Sequence, residues 1–166
     1  LIIKEKLMKL GIIGQGYVGT AVRTVFEKHY KTNTFDLNGK CSCKTLHELV
    51  GTSDILFVCV PTPMNRDGSC NLNIVKGVVR DINEAVNVGE ESKIVAVKST
   101  IPPGTTNDLN KEYEHINVIF NPEFLTEANF IDDFKNQNRI IIGGQKSATT
   151  KLRQVYSLVF PDATIV

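Results

Sequence analysis

An apolar run that ends in three spaced glycines, Leu10-Gly11-Ile12-Ile13-Gly14-Gln15-Gly16-Tyr17-Val18-Gly19, constrains this chain more than any other feature. A strand that runs into Gly14-x-Gly16-x-x-Gly19 and opens a helix makes a tight turn, a backbone surface with no Cβ in the way, and a close helix–strand contact. The free amides and positive dipole end of that helix suit an anion such as a pyrophosphate. Glycine-rich turns also arise by chance, so context decides. Val18, Ala21, Val22, Val25 and Phe26 follow on one helical face. A second strand, 32–37, carries Asp36 about 20 residues beyond Gly16, where a carboxylate accepts hydrogen bonds from ribose hydroxyls and repels a 2′-phosphate. These residues imply a dinucleotide site that favours NAD over NADP. Lys40 lies close enough to blur that preference; as an ordinary loop lysine it would simply be solvated.

The remainder alternates strand-sized apolar runs with amphipathic helical stretches. Strands are expected near 9–14, 32–37, 55–60, 93–98, 116–120, 139–143 and 163–166, and helices near 17–29, 44–50, 72–87, 104–112 and 147–159. Such alternation implies an α/β fold with a doubly wound, mostly parallel sheet of the Rossmann type, whose ligand site lies beyond the carboxyl ends of the strands. At 166 residues with 42% hydrophobic content, the chain suits one such domain, expected over 8–166, with 1–7 as a preceding extension. Nineteen basic and 18 acidic residues, with no basic run, give no electrostatic reason to expect nucleic acid or an anionic membrane as partner. No run is long enough to span a bilayer and no signal-peptide pattern is evident, so a cytoplasmic setting is expected.

Cys41, Cys43, Cys59 and Cys70 form no CxxC pair. Cys41 and Cys43 with His29 or His47 would make a poorly spaced zinc site, and reduced thiols with no metal is the expectation. The chemistry-bearing motifs fall at predicted strand ends. Val60-Pro61-Thr62-Pro63 follows the third strand, with stiff prolines and a hydroxyl on the adenosine side. Lys98-Ser99-Thr100-Ile101-Pro102-Pro103-Gly104 ends the fourth, placing Thr100 near the expected nicotinamide, although Ser99 and Thr100 would serve equally as turn caps. Phe120-Asn121-Pro122-Glu123-Phe124-Leu125-Thr126-Glu127-Ala128 ends the fifth. Its two glutamates, four apart, share a face if the segment is helical, where they would orient a water or accept a proton, or serve only the helix dipole.

The order GQGYVG, VPTP, KSTIPPGTT, NPEFLTEA and Asn138-Arg139-Ile140-Ile141-Ile142-Gly143-Gly144 resembles the N-terminal NAD-binding domain of the UDP-glucose/GDP-mannose dehydrogenase family. The resemblance spans essentially Met8 to Val166. It implies NAD-dependent oxidation of a nucleotide-sugar primary alcohol, such as that of a UDP-hexose, to the uronate, by two hydride transfers through a thiohemiacetal and a thioester. It also implies that Gly14, Gly16, Tyr17, Val18 and Gly19 hold the pyrophosphate, Asp36 the ribose, and Val60, Pro61 and Thr62 the flank of the cofactor. Thr100 and Glu123 are expected to hold water and assist proton transfer, with Glu127 beside them. Phe124, Leu125 and Glu127 would form the substrate wall. The family draws its nucleophilic cysteine and its dimer-forming central helix from later segments, so this chain alone is expected to be inactive, and monomeric where its parent is a dimer or larger. A stand-alone NAD(H)-binding module is the alternative reading.

Overall fold

The computed structural model describes residues 8–39 and 41–166. In chain order the elements are β1 (Leu10–Ile13), α1 (Tyr17–Phe26), β2 (Thr32–Phe35), α2 (Leu46–Gly51), β3 (Ile55–Val58), α3 (Asn73–Ala85), β4 (Lys93–Val97), α4 (Thr105–Glu112), β5 (Ile116–Phe120), α5 (Phe130–Lys135), β6 (Arg139–Ile140), α6 (Lys146–Val159) and β7 (Thr164–Ile165). The first five strands form one all-parallel sheet in the order β2-β1-β3-β4-β5. Every residue of β1 and β3 is buried, as expected for parallel strands covered on both faces.

Alternate side chains feed two cores. Leu10, Ile12, Ile55, Phe57, Ile94 and Ala96 pack with Val22, Phe26 and Tyr156 on one face. Ile13, Leu56, Val58, Val95 and Val97 pack with Leu49, Val79 and Leu109 on the other. Phe26, fully buried, is the hub of the first core: its ring stacks on Phe57 at 5.5 Å and meets Tyr156 edge-on at 5.3 Å. Helix α2 starts locally. Thr45 Oγ1 accepts from the Glu48 amide at 3.1 Å, and Glu48 Oε2 accepts from the Lys44 amide at 2.8 Å.

The strands stop short of the expected ends because the residues beyond Ile13, Phe35, Val58 and Val97 turn into loops at a shared edge. The last two strands are not part of the main sheet. Among the described residues β6 and β7 pair only with each other, in parallel, and an isolated antiparallel bridge between Phe120 and Gly143 ties that unit to the rim of β5. Helix α5 was absent from the sequence expectation, being a short acidic stretch anchored by Phe134 alone among its fully buried side chains. Among the described residues no helix is long and apolar enough to cross a membrane. The segment 1–7, expected to be an extension, lies outside the described residues.

Truncating the hub of the larger aromatic core tests this packing: Phe26→Ala should lower unfolding free energy by about 3–5 kcal/mol in a denaturant titration. A loss under about 1 kcal/mol would show that the ring cluster does not hold the sheet to α1 and α6.

Candidate functional site

Strand order reverses between β1 and β3, and the loops that leave β1, β2, β3, β4 and β5 all emerge at the same sheet edge. Register enforces this: Ile13 lies opposite Phe35 and Val58, Val58 opposite Val97, and Val97 opposite Phe120. In an open parallel sheet the crevice beside such a reversal is where a nucleotide sits.

The turn after β1 is shaped by missing side chains. Gly14 has φ of 89°, and a Cβ there would run into the Cys59 carbonyl; a Cβ at Gly19 would occupy the space of the Gly14 carbonyl oxygen. Gly16 differs: an added Cβ would meet nothing within 4 Å. Gly16 is also the N-cap of α1, no side chain caps that helix, and no acidic residue stands in its first turn. The result is an uncapped helix N-terminus facing open space, which fits a diphosphate. Gln15 adds a buried Oε1 with no hydrogen-bond partner among the described residues. Tyr17, 54% exposed, sets its ring edge-on to Phe130 at 5.3 Å, and Val18 packs against the core below.

Asp36, one residue past β2, closes the cradle from the side. Its Oδ2 accepts from the Gln15 amide and its Oδ1 from the Asn38 amide, each at 2.7 Å. A carboxylate has about four acceptor positions, so room remains for a ribose. Lys40 lies outside the described residues. After β3, Val60 is held by Ser99, whose Oγ accepts from the Val60 amide at 3.1 Å and donates to its carbonyl at 2.7 Å. Ser99 thus ties two strand ends together, whereas the cap of α4 is Gly104. Pro61 is exposed and Thr62 half-buried in the loop beyond. Thr100 is exposed at the end of β4, its carbonyl accepting from the Cys70 thiol at 3.6 Å.

The segment 121–126 is extended and irregular, followed by a turn at 127–129, so Glu123 and Glu127 do not share a helical face. The reason is local. In a helix the Leu125 amide would bond the Asn121 carbonyl; here it donates to Glu123 Oε2 at 2.6 Å, and the Asn121 carbonyl is taken by Lys98. The Thr126 amide and hydroxyl likewise go to Asp133 Oδ2, at 2.8 and 2.6 Å. Glu123 therefore stays at the strand end while Glu127 stands exposed in the following turn. Phe124, 57% exposed, carries the Arg139 guanidinium 5.0 Å above its ring. Phe124, Leu125 and Arg139 line a cavity of about 470 Å³ against α5, whose lining includes no residue of the glycine turn. A second cavity of about 460 Å³, lined by Lys9, Asp54 and Lys93, lies at the opposite, amino-terminal edge of the sheet. Among the described residues no three His, Cys, Asp or Glu side chains gather as a metal site.

The sequence profile described as the UDP-glucose/GDP-mannose dehydrogenase family, NAD binding domain, matches residues 31–160. This chain belongs to that family. The family's NAD binding domain, with its parallel sheet and open helix N-terminus, makes NAD the cofactor. A protein of Methanocaldococcus jannaschii is 32% identical over 127 residues, covering 75% of this chain and 14% of its own length. The UDP-glucose 6-dehydrogenase AglM of Haloferax volcanii is 26% identical, with 83% of this chain and 41% of its own length covered. The solved UDP-glucose dehydrogenase of the archaeon Pyrobaculum islandicum superposes with a TM-score of 0.86 at 26% identity, over all of this chain and 47% of that one. The chain thus spans less than half the length of these relatives.

Three residues given no role in the sequence form a buried polar cluster at the ends of β4 and β5: Lys98, Asn121 and Tyr156. Lys98, 2% exposed, lies at the end of β4 and donates from Nζ to the Asn121 carbonyl at 3.1 Å, Asn121 Oδ1 at 3.3 Å and Tyr156 Oη at 3.3 Å. Tyr156 Oη donates to Asn121 Oδ1 at 2.6 Å, and Asn121 Nδ2 to the Ile141 carbonyl at 2.9 Å. Burial lowers the Lys98 ammonium from 10.5 to about 8, against the opposing pull of Cys59 and Glu123. Burial pushes the Cys59 thiol up to about 12 and raises Tyr156 as well, so both stay protonated at neutral pH. The only hint in the sequence was a lysine inside an apolar strand.

The unfolded chain holds the Lys98 proton up to its ordinary value, whereas the folded chain releases it near pH 8. Raising pH through that window therefore favours the fold. The stability of the native chain should rise relative to Lys98→Met between about pH 8 and 10, by up to about 3 kcal/mol, in paired denaturant titrations. A flat difference across that range would mean that Lys98 is not desolvated.

Proposed function

We propose that this chain is the NAD-binding part of a nucleotide-sugar 6-dehydrogenase that oxidises the primary alcohol of a UDP-hexose to the uronate with two NAD. The open space at Gly16, over an uncapped helix at the sheet's reversal point, is the observation that carries the reading. Gly14, Gly16, Tyr17, Val18 and Gly19 surround the pyrophosphate, with the first-turn amides of α1 donating to it. Asp36 accepts from the adenosine ribose and repels a 2′-phosphate, and Val60, Pro61 and Thr62 border the adenosine side. When bound, NAD supplies the hydride acceptor.

The substrate side belongs to the ends of β4 and β5. Thr100 and Glu123 hold a water and move a proton between it and the reacting carbon's oxygen. Glu123 suits this because only its Oε2 is committed, to Leu125. Phe124, Leu125 and Glu127 form the wall against which the nucleotide sugar lies. Support comes from family membership and from AglM and the Pyrobaculum islandicum protein, a UDP-glucose 6-dehydrogenase and a UDP-glucose dehydrogenase.

Calorimetric titration with NAD and NADP tests the cradle. Gly16→Ser should keep or raise Tm, since serine is a good N-cap, while weakening NAD at least about tenfold by filling the anion space. Asp36→Ala should weaken NAD and narrow the preference over NADP, whereas Glu123→Gln should leave NAD affinity within about twofold. Equal NAD losses in the Asp36 and Glu123 variants, or an unchanged affinity in Gly16→Ser, would overturn these assignments.

A further inference from the structure

Lys98 has no part in the roles above, yet it is a lysine buried to 2% exposure. Its three ammonium protons meet three acceptors, two on Asn121 and one on Tyr156, with no carboxylate among its hydrogen-bond partners. The Phe134 and Tyr156 rings lie 5.6 and 5.9 Å from Nζ. Asn121 is fully buried and has no free hydrogen-bonding group left: its amide donates to the Val97 carbonyl, its carbonyl and Oδ1 accept, and its Nδ2 reaches Ile141. One residue thereby joins the ends of β4 and β5, helix α6 and the strip beyond β6.

From this geometry we infer that Lys98 is a positioning residue, whose buried side-chain nitrogen, hydrogen-bonded to Asn121 and Tyr156, fixes Asn121 and so sets the path of the 121–126 segment that presents Glu123 and the Phe124–Leu125 wall. The inference rests on the proposed function for the meaning of that segment and not for the contacts themselves. Lys98 draws the Asn121 carbonyl toward its buried nitrogen, and the Leu125 amide donates to Glu123 instead of closing a helical turn on that carbonyl. Lysine suits this position because it satisfies the carbonyl, the amide oxygen and the phenol together, where a neutral apolar side chain of equal length would leave buried acceptors unpaired.

The charged and titratable groups facing Lys98 are Cys59 at the end of β3, Glu123 beyond β5 and Tyr156 on α6. Any opening that wets Lys98 restores its ordinary affinity for a proton, so such opening is opposed as pH rises through the folded value near 8. Solvent-exchange NMR on the whole chain reads this at the Leu125 and Thr126 amides, with Thr20 in α1, bonded to the Gly16 carbonyl at 3.0 Å, as the internal control. In Lys98→Met, exchange at Leu125 and Thr126 should accelerate at least about tenfold more than at Thr20. In the native chain, protection at Leu125 and Thr126, corrected for base catalysis, should rise at least about fivefold from pH 7.5 to 9.5, and this rise should vanish in Lys98→Met.

The pH series on the unaltered protein stands even where Lys98→Met does not fold, and Tyr156→Phe, which removes one partner only, should give a smaller acceleration at the same two amides. Equal acceleration of Thr20, or unchanged exchange at Leu125 and Thr126 in every variant, would overturn the positioning role. NAD affinity measured on the same samples separates the two claims: failure of the chain to bind NAD overturns the proposed function, while the exchange pattern alone decides the role of Lys98.

Discussion

The amino end of α1 can stand over the end of β1 only because two side chains are missing where they meet. A Cβ on Gly19 would take the place of the Gly14 carbonyl, and one on Gly14 would strike the Cys59 carbonyl of β3. That contact sets the distance between helix and sheet, and everything downstream accepts it. Phe26, two and a half turns along α1, reaches Phe57 and Tyr156, so the helix that offers its amides at one end seals the larger core at the other. Binding surface and core are two ends of one rigid element.

The five-stranded order then brings four further loops to the same edge, with one core packed on each face of the sheet. Ser99 joins the ends of β3 and β4, while Lys98 and Asn121 join β4 to β5. These polar ties lie where the backbone ladders stop, which is where unpaired carbonyls and amides would otherwise face a buried rim. At the rim, side-chain hydrogen bonds are added to the last backbone bonds of the ladder, from the Lys98 amide to the Val58 carbonyl and from the Asn121 amide to the Val97 carbonyl.

Much of this was readable in the sequence, for identifiable reasons. Strands such as Ile55–Val58 are continuous apolar runs bounded by turn residues, and the glycine spacing of 14–19 carries its own geometry. The position of Asp36 beside the turn is legible from distance along the chain, since β2 ends a fixed span after it. What escaped was what depends on competition between partners. The stretch 121–129 has helix-compatible glutamates, but its amides are claimed by Glu123 and Asp133 and its key carbonyl by Lys98, a residue 23 positions earlier. Helix α5 is too short to show periodicity, and β6 and β7, two residues each, could be recognised as strands without revealing that they pair apart from the main sheet. Tyr156 stands among the apolar positions of α6, with no motif to mark its hydroxyl.

Asp36 illustrates how closely recognition and architecture are joined here. The carboxylate suited to a ribose also accepts the amides of Gln15 and Asn38, so it is part of the wall it decorates. Exchanging cofactor preference in such a pocket is therefore not a free choice of side chain at 36. A replacement that welcomes a phosphate must still take the Gln15 amide, or the glycine turn loses its lateral support. That requirement leaves short uncharged acceptors, serine or asparagine, as the accessible routes and closes the path through alanine or arginine alone. A lineage would thus be held to its original dinucleotide by the folding of its own turn as well as by selection on the reaction.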